Sequence, residues 1–281
     1  MDLLQYNFIN LNNIMLMMIE FIEYFCALLI GVLLGLTGGG GSILTVPVLV
    51  YILNYNPIIA SSYSLFIVGM TSTFGALINL KKGNVDLKTG FIFAIPSLIS
   101  VYLTRKYIIH SIPEILIQNS YFTLTKDLFL MVLFAIVMLF AALSMLKAPK
   151  TNTLEVDESK PNIYIIVFQI FCVGILIGLI GAGGGFLIIP ALVNFAKLPI
   201  KKAIGTSLFI ISCNSLIGFS GDVQNINPDW YFLFKFAGFA MTGIFIGIYL
   251  SRFFNDRNLK KIFGWFVFTM AFFILTKEIL F

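Results

Sequence analysis

The sequence predicts an all-α polytopic membrane protein of two inverted repeats, each a glycine-broken helical hairpin followed by three spans. Three observations lead there. Of the 281 residues, 59% are hydrophobic and 11% charged, and mean hydropathy is +0.98; such a chain has too little polar surface for a water-soluble domain. A glycine-rich stretch occurs twice, as GVLLGLTGGGGSILTVP at 31–47 and GILIGLIGAGGGFLIIP at 174–190, at one offset (181 − 38 = 190 − 47 = 143). The basic residues, finally, fall on loops that inverted halves would gather on one side.

Taken in order, residues 1–13 are Asn-rich and polar and read as loosely ordered. They do not form a signal peptide, because Asp2 replaces the basic start and Glu20 and Glu23 interrupt the apolar stretch that follows. An apolar segment over 14–36 leads into the glycines. The piece after them, 42–53, is about 18 Å long as a helix, too short for a hydrocarbon core of about 30 Å. Residues 54–57 form a turn, and 58–80 make a full span ended by Lys81-Lys82-Gly83-Asn84. The span at 87–104 carries Pro96, expected to kink it. Residues 105–125, with Ile108, Ile109, Ile112, Ile115 and Leu116, suggest an interfacial amphipathic helix. A clean span at 128–146 completes an N-terminal repeat, 1–146. The polar stretch KAPKTNTLEVDESKPN at 147–162 is a linker, and 163–281 is the C-terminal repeat.

The second half keeps the order: 163–180 into the glycines, a short piece at 186–195, a loop with Lys197, Lys201 and Lys202, then spans at 203–220, 230–250 and 262–280. Ala60, Ser64, Leu65, Phe66, Ser72, Gly75 and Asp86 match Ala203, Ser207, Leu208, Phe209, Ser215, Gly218 and Asp229 at the same offset. Tyr102-Leu-Thr-Arg105 resembles Tyr249-Leu-Ser-Arg252.

If each glycine break turns a hairpin, the halves are inverted. Lys81, Lys82, Lys88, Lys147, Lys150, Lys160, Lys197, Lys201, Lys202, Arg252, Arg257, Lys260 and Lys261 then share a side against Arg105, Lys106, Lys126 and Lys277, 13 against 4. Single crossings would give parallel halves and a split of 10 against 7. Cytoplasmic loops are enriched in Lys and Arg, so the hairpin scheme is preferred, with both termini outside and the linker in the cytoplasm.

A glycine cluster breaks a helix because it costs backbone entropy and packs no side chain. In lipid such a break survives only where the freed backbone groups are buried in protein or face a wet cavity, and matched breaks in two halves point to a transport site. The candidate site is therefore Gly38, Gly39, Gly40, Gly41 and Ser42 with Gly181, Gly183, Gly184 and Gly185. Short helices starting there aim positive dipole ends and unpaired N–H groups at one point, which suits a small anion. No Lys or Arg falls at the centre of a predicted span, so the backbone would supply most of the positive potential. Ser64, Ser72, Thr206, Ser207, Asn214 and Ser215 on the following spans could complete the shell, although Ser and Thr in membrane helices often bond their own backbone.

Other features read more plainly. The GxxxG pairs Gly31/Gly35, Gly174/Gly178 and Gly243/Gly247 suit close helix packing. The glycines are no nucleotide loop, since neither GxGxxG nor a following Lys-Ser/Thr is present. Cys26, Cys172 and Cys213 have no metal or redox spacing, and the single histidine, His110, reads as a solvated loop residue. Glu20 and Glu23 fit an interface, and Asp86, Asp222 and Asp229 fit helix caps or loop charges. No acid stands mid-span, so a coupling proton or ion stays open. No metal, cofactor or nucleic acid is implied; the partners are a small anion, the lipid bilayer and, left open, a second copy as a homodimer.

The paired glycine motifs, the Ala203-Ile-Gly-Thr-Ser207-Leu stretch and Lys81-Lys-Gly83-Asn-Val-Asp86 together resemble the sulfite exporter TauE/SafE family of membrane permeases, over roughly residues 20–280. The resemblance implies a multi-pass plasma-membrane permease for sulfite, a sulfonate or a related sulfur-containing anion, and no enzymatic activity. An anion channel and a non-transporting scaffold are the other readings; a lipid enzyme would need clustered His, Asp or Glu. The first half departs from the pattern: Ser61-Ser62-Tyr63 stands where the second has Ile204-Gly205-Thr206.

Overall fold

The computed structural model describes residues 3–119, 122–146, 163–194, 196–253 and 256–280. The chain is helical almost throughout: α1 (Leu3–Thr37), α2 (Gly40–Pro47), α3 (Pro57–Lys81), α4 (Leu87–Leu103), α5 (Ile109–Ser111), α6 (Lys126–Leu146), α7 (Ile163–Ile180), α8 (Gly185–Asn194), α9 (Ile200–Asp222), α10 (Trp230–Leu250) and α11 (Asp256–Leu280). Six stretches among the described residues are long and apolar enough to cross a membrane, and Gly40–Ile52 and Val167–Ile180 are shorter apolar helices. Large side chains such as Phe21, Phe140, Phe168, Tyr231 and Phe272 face outward, whereas Ser42, Ser64, Ser72, Thr206, Ser207, Asn214 and Ser215 are buried. Polar groups inside and apolar groups outside is the arrangement lipid demands.

The residues at helix ends explain where helices start. Asn56 caps α3 by accepting from the Ile58 N–H at 2.9 Å, one residue before Pro57 occupies the first helical position. Asp86 caps α4 through the Thr89 N–H (3.1 Å), and Asp229 caps α10 through the Phe232 N–H (3.0 Å). Of the two readings given for these aspartates, helix caps or loop charges, the structure shows caps.

The internal repeat extends to the backbone. Gly38 and Gly181 take φ of 72° and 74°, and Asn54 and Lys197 both take 55°. Tyr55 N–H donates to the Leu49 carbonyl as Leu198 N–H does to that of Leu192. The halves also interlock reciprocally: Asp229 N–H donates to Tyr63 Oη (2.8 Å) and Asp86 N–H to Thr206 Oγ1 (2.9 Å), each pair 143 residues from the other.

Contacts along the helices fix their directions. A methyl group at Gly69 would meet Leu216, and one at Gly75 would meet Leu208, so α3 and α9 run antiparallel. Gly31 lies against Ala240 and Gly35 against Gly247, so α1 runs parallel to α10; Gly174 lies against Ser97 and Gly178 against Thr104, so α7 runs parallel to α4. The GxxxG pairs expected to serve close packing do so: Gly31, Gly35, Gly243 and Gly247 meet backbone, while Gly174 packs on Ser97 and Ser100 and Gly178 on the Thr104 side chain. After Thr37 the chain turns back: a methyl at Gly41 would strike Ile30 and Leu34. The far end of this return is a π-helical turn, Val48–Ile52, and Tyr51 Oη donates to Glu278 on α11 at 2.7 Å.

Two expectations change. Helix α1 begins at Leu3, so residues 3–13 are helical. The expected interfacial helix over 105–125 is instead a continuation of α4 through a π-helical turn, Thr104–Ile108, into α5, followed by an antiparallel hairpin of β1 (Ile115–Asn119) and β2 (Phe122–Thr125). The β-branched residues Ile115, Ile117, Thr123 and Thr125 favour strands, and the isoleucine spacing that suggested one helix is divided between the two structures. The linker at 147–162 lies outside the described residues.

Candidate functional site

Both glycine breaks reach the middle of the antiparallel α3–α9 pair. A methyl at Gly183 would come within 2.8 Å of Val68 and 3.0 Å of Ser215 Oγ, and both residues lie near the centres of their helices. The loops touch there, since a methyl at Gly39 would lie 2.6 Å from the Gly185 backbone. Gly38, Gly181, Gly183 and Gly184 hold left-handed φ values of 66–74°, which a side chain makes costly. Helices α2 and α8 start at this junction, at Gly40 and Gly185, so two positive helix ends adjoin. The Gly40 N–H is satisfied by Thr37 Oγ1 at 2.8 Å.

The predicted polar residues divide in two. Several are bound to protein: Ser42 Oγ donates to the Gly39 carbonyl (2.6 Å), Ser207 Oγ to the Gly38 carbonyl (2.6 Å), and Thr206 Oγ1 accepts from Asp86. Asn214 Nδ2 donates to Ser97 Oγ at 2.9 Å, joining α9 to α4. These residues hold the glycine loops and helices in place. The hydroxyls of Ser64, Ser72 and Ser215 are buried and have no partner among the described residues, and a buried hydroxyl without a partner costs free energy. Ser215, beside Gly183, is the one whose place at the junction is fixed by contact.

Sequence reasoning missed a charged cluster at one edge of the junction. Because α4 continues through its π turn, Arg105 lies inside a span and is fully buried. Arg105 Nη1 donates to Asp222 Oδ2 (2.9 Å) and to Ser61 Oγ (3.0 Å), and Ser62 Oγ donates to the same carboxylate oxygen (2.5 Å). His110 Nε2 stands 3.6 Å from Asp222 Oδ1. Asp222 is thus a buried ion-pair partner rather than a cap or loop charge, and His110 faces it from α5. A methyl at Gly181 would strike Arg105 Nη2 and Ser61, so a cation borders the second glycine loop and the backbone is not alone in supplying positive potential. The signal was present in the departure Ser61-Ser62 from Ile204-Gly205: these two serines hold the pair.

At the other end of α3 and α9 lies a cavity of about 440 Å³, lined by Gly35, Leu36, Asn79, Lys82, Asn84, Lys201, Ile204, Ile248, Ser251 and Arg252. Burial and the nearby Arg252 charge together push the Lys82 amine below the usual lysine value.

A helical fold with lipid-facing aromatic residues, a polar interior and paired glycine breaks at its centre defines a multi-pass membrane transporter. The chain belongs to the sulfite exporter TauE/SafE family, whose sequence model matches residues 24–274. It is 29% identical over 257 residues to a probable membrane transporter protein of Xylella fastidiosa (strain 9a5c), covering 89% of this chain and 92% of that one. It is 28% identical over 254 residues to the probable membrane transporter protein YunE of Bacillus subtilis, covering 84% and 89%. Similarity to the probable membrane transporter protein MJ0441 of Methanocaldococcus jannaschii reaches 33% over 113 residues, 38% of this chain and 42% of that one. No solved structure matches the chain significantly.

Proposed function

We propose that the protein is a secondary transporter, not an enzyme, that moves a small anion, sulfite or another sulfur-containing anion, across the plasma membrane. Transport proceeds by alternating access between two inverted repeats, 1–146 and 163–281, joined by a cytoplasmic linker at 147–162. The observation that carries this reading is the backbone meeting of Gly39 and Gly185 where two helices start, with the unpartnered Ser215 hydroxyl beside it and Arg105 at its edge. Adjoining positive helix ends favour an anion at that point. The antiparallel course of α3 and α9 and the reciprocal Asp86 and Asp229 contacts support inversion. Lys82, Lys201 and Arg252 gather at one end of the bundle, which the positive-inside tendency places in the cytoplasm. The family name supports sulfite among anions.

The test is flux in proteoliposomes loaded with sulfite, sulfate or taurine under an imposed pH gradient. Saturable sulfite efflux is expected, and its dependence on the gradient would identify proton coupling. Conductance far above carrier turnover would instead establish a channel, and absence of flux for all three anions would withdraw the substrate class. A cysteine placed at residues 54–56 is expected to label from outside only; labelling from the cytoplasm would overturn the inverted topology.

A further inference from the structure

Arg105 and Arg252 end the matching stretches Tyr102-Leu-Thr-Arg105 and Tyr249-Leu-Ser-Arg252. Their surroundings correspond as well. Arg105 lies against the second glycine break, Asp222 and Ser61; Arg252 shares a cavity with Leu36 near the first break, Asn79 and Ile204. Asn79 and Ile204 are the residues 143 positions from Asp222 and Ser61 (222 − 79 = 204 − 61 = 143). At one end an arginine meets a carboxylate and both are buried. At the other the carboxylate is replaced by an amide, whose Nδ2 donates to the Gly75 carbonyl of its own helix at 2.9 Å. Ser62 is replaced by Gly205, whose missing side chain admits the Asn84 carbonyl. The space there stays open.

The cavity holds three cations, Lys82, Lys201 and Arg252, all solvent-exposed, and among the described residues no acid lines it. Like charges facing one cavity repel, and the cheapest neutralising partner is a mobile anion. The inner wall includes Ile204, against which Gly38 packs directly. A ligand held here is therefore separated from the glycine junction by one side chain.

We propose that this vestibule docks a small, doubly charged oxyanion through Arg252, Lys82 and Lys201, the anion standing toward Arg252 as the Asp222 carboxylate stands toward Arg105. The inference rests on the transporter reading for the class of ligand, but the site is tested without transport.

The experiment is calorimetric titration of sulfite and of sulfate into the purified full-length protein at fixed low ionic strength, because salt screens exposed charges. Wild type is expected to bind, and Arg252→Gln to weaken binding about tenfold or more. Asn79→Asp, which supplies an internal carboxylate, is expected to weaken it comparably, and Lys277→Gln to leave it unchanged. Wild-type affinity in both Arg252→Gln and Asn79→Asp would overturn the site. So would binding of dioctanoyl phosphatidic acid without binding of either free anion, which would make the cavity a lipid headgroup site. Flux separates the two ideas. Normal sulfite transport with unchanged apparent KM in Arg252→Gln sinks the vestibule and keeps the transporter; Arg252-dependent binding without any wild-type flux keeps the vestibule and sinks the transporter.

Discussion

The two ends of the α3–α9 pair carry the same arginine and answer it differently. At the end where α3 begins, Arg105 is fully buried against Asp222, with Ser61 donated to and Ser62 donating. At the end where α3 finishes, Arg252 is exposed beside Asn79, Lys82 and Lys201 on a cavity of about 440 Å³. The difference teaches that two repeats sharing backbone geometry can still present different chemistry at their two ends. Exchanging an acid for an amide and two serines for Ile and Gly turns a closed ion-pair latch into an open basic mouth. Under the alternating access proposed above, these two ends would correspond to a state latched at the Arg105 end and open at the Arg252 end.

The largest effect should come from breaking the latch. Asp222→Asn leaves Arg105 buried without a counter-charge and should cost about 3–5 kcal/mol of stability; a thermal or denaturant unfolding midpoint in detergent measures it. The double variant Arg105→Met/Asp222→Asn should recover much of that loss, because no buried charge then remains. Arg252→Met, the same change at the open end, should stay within about 0.5 kcal/mol of wild type. Equal losses at both ends would abolish the comparison.

Next come the glycine loops that both ends share. Gly184→Val puts a β-branched residue at φ 71° and drives it into Ile177, and left-handed backbone costs a side-chain-bearing residue about 1–2 kcal/mol. Gly40→Val alters the first residue of α2 in the opposing loop. Flux is expected to disappear in both while membrane insertion persists. Wild-type flux in both would remove the loops from the transport path.

A gentler change should make the ends alike. With Asn79→Asp the open end gains the carboxylate that Asp222 provides at the other, so Arg252 can pair and the cavity should narrow. Labelling of a Ser251→Cys reporter should slow several-fold in that background, and an unchanged rate would show that the missing acid is not what keeps the cavity open. The smallest effect tests the symmetry that survives. Asp86→Ala and Asp229→Ala each remove an equivalent helix cap and should each lower stability by about 1 kcal/mol; a marked inequality would mean that one cap does more than satisfy its helix.

Much of the framework was legible in the chain. The constant offset located both breaks and the matched aspartates Asp86 and Asp229, because glycine clusters and helix-capping residues carry strong local preferences; the shared positive φ of Asn54 and Lys197 emerged only in the structure. Apolar runs and turn residues located the spans, since burial in lipid leaves the backbone few options. The stretch 105–125 was misread because its isoleucines fit a helical stripe and a strand equally well over so short a length. Among the site residues, the sequence could not tell a hydroxyl that holds a loop, as Ser207 does, from one left unpartnered, as Ser215 is. That depends on which carbonyl a neighbouring helix presents.

The sequence by itself determined the class of protein, the repeat and the place of each glycine break, for these rest on hydropathy and on residue types with strong local conformational preferences. The Arg105–Asp222 pair was decided only in three dimensions. Its members lie 117 residues apart, each reads as an ordinary charge near a helix end, and only the continuation of α4 past its π turn and the packing of α4 beside α9 bring them into one buried site. The same holds for the open mouth around Arg252: Asn79 and Ile204, which line it, are ordinary letters until the antiparallel pair sets them at the positions that Asp222 and Ser61 hold at the other end.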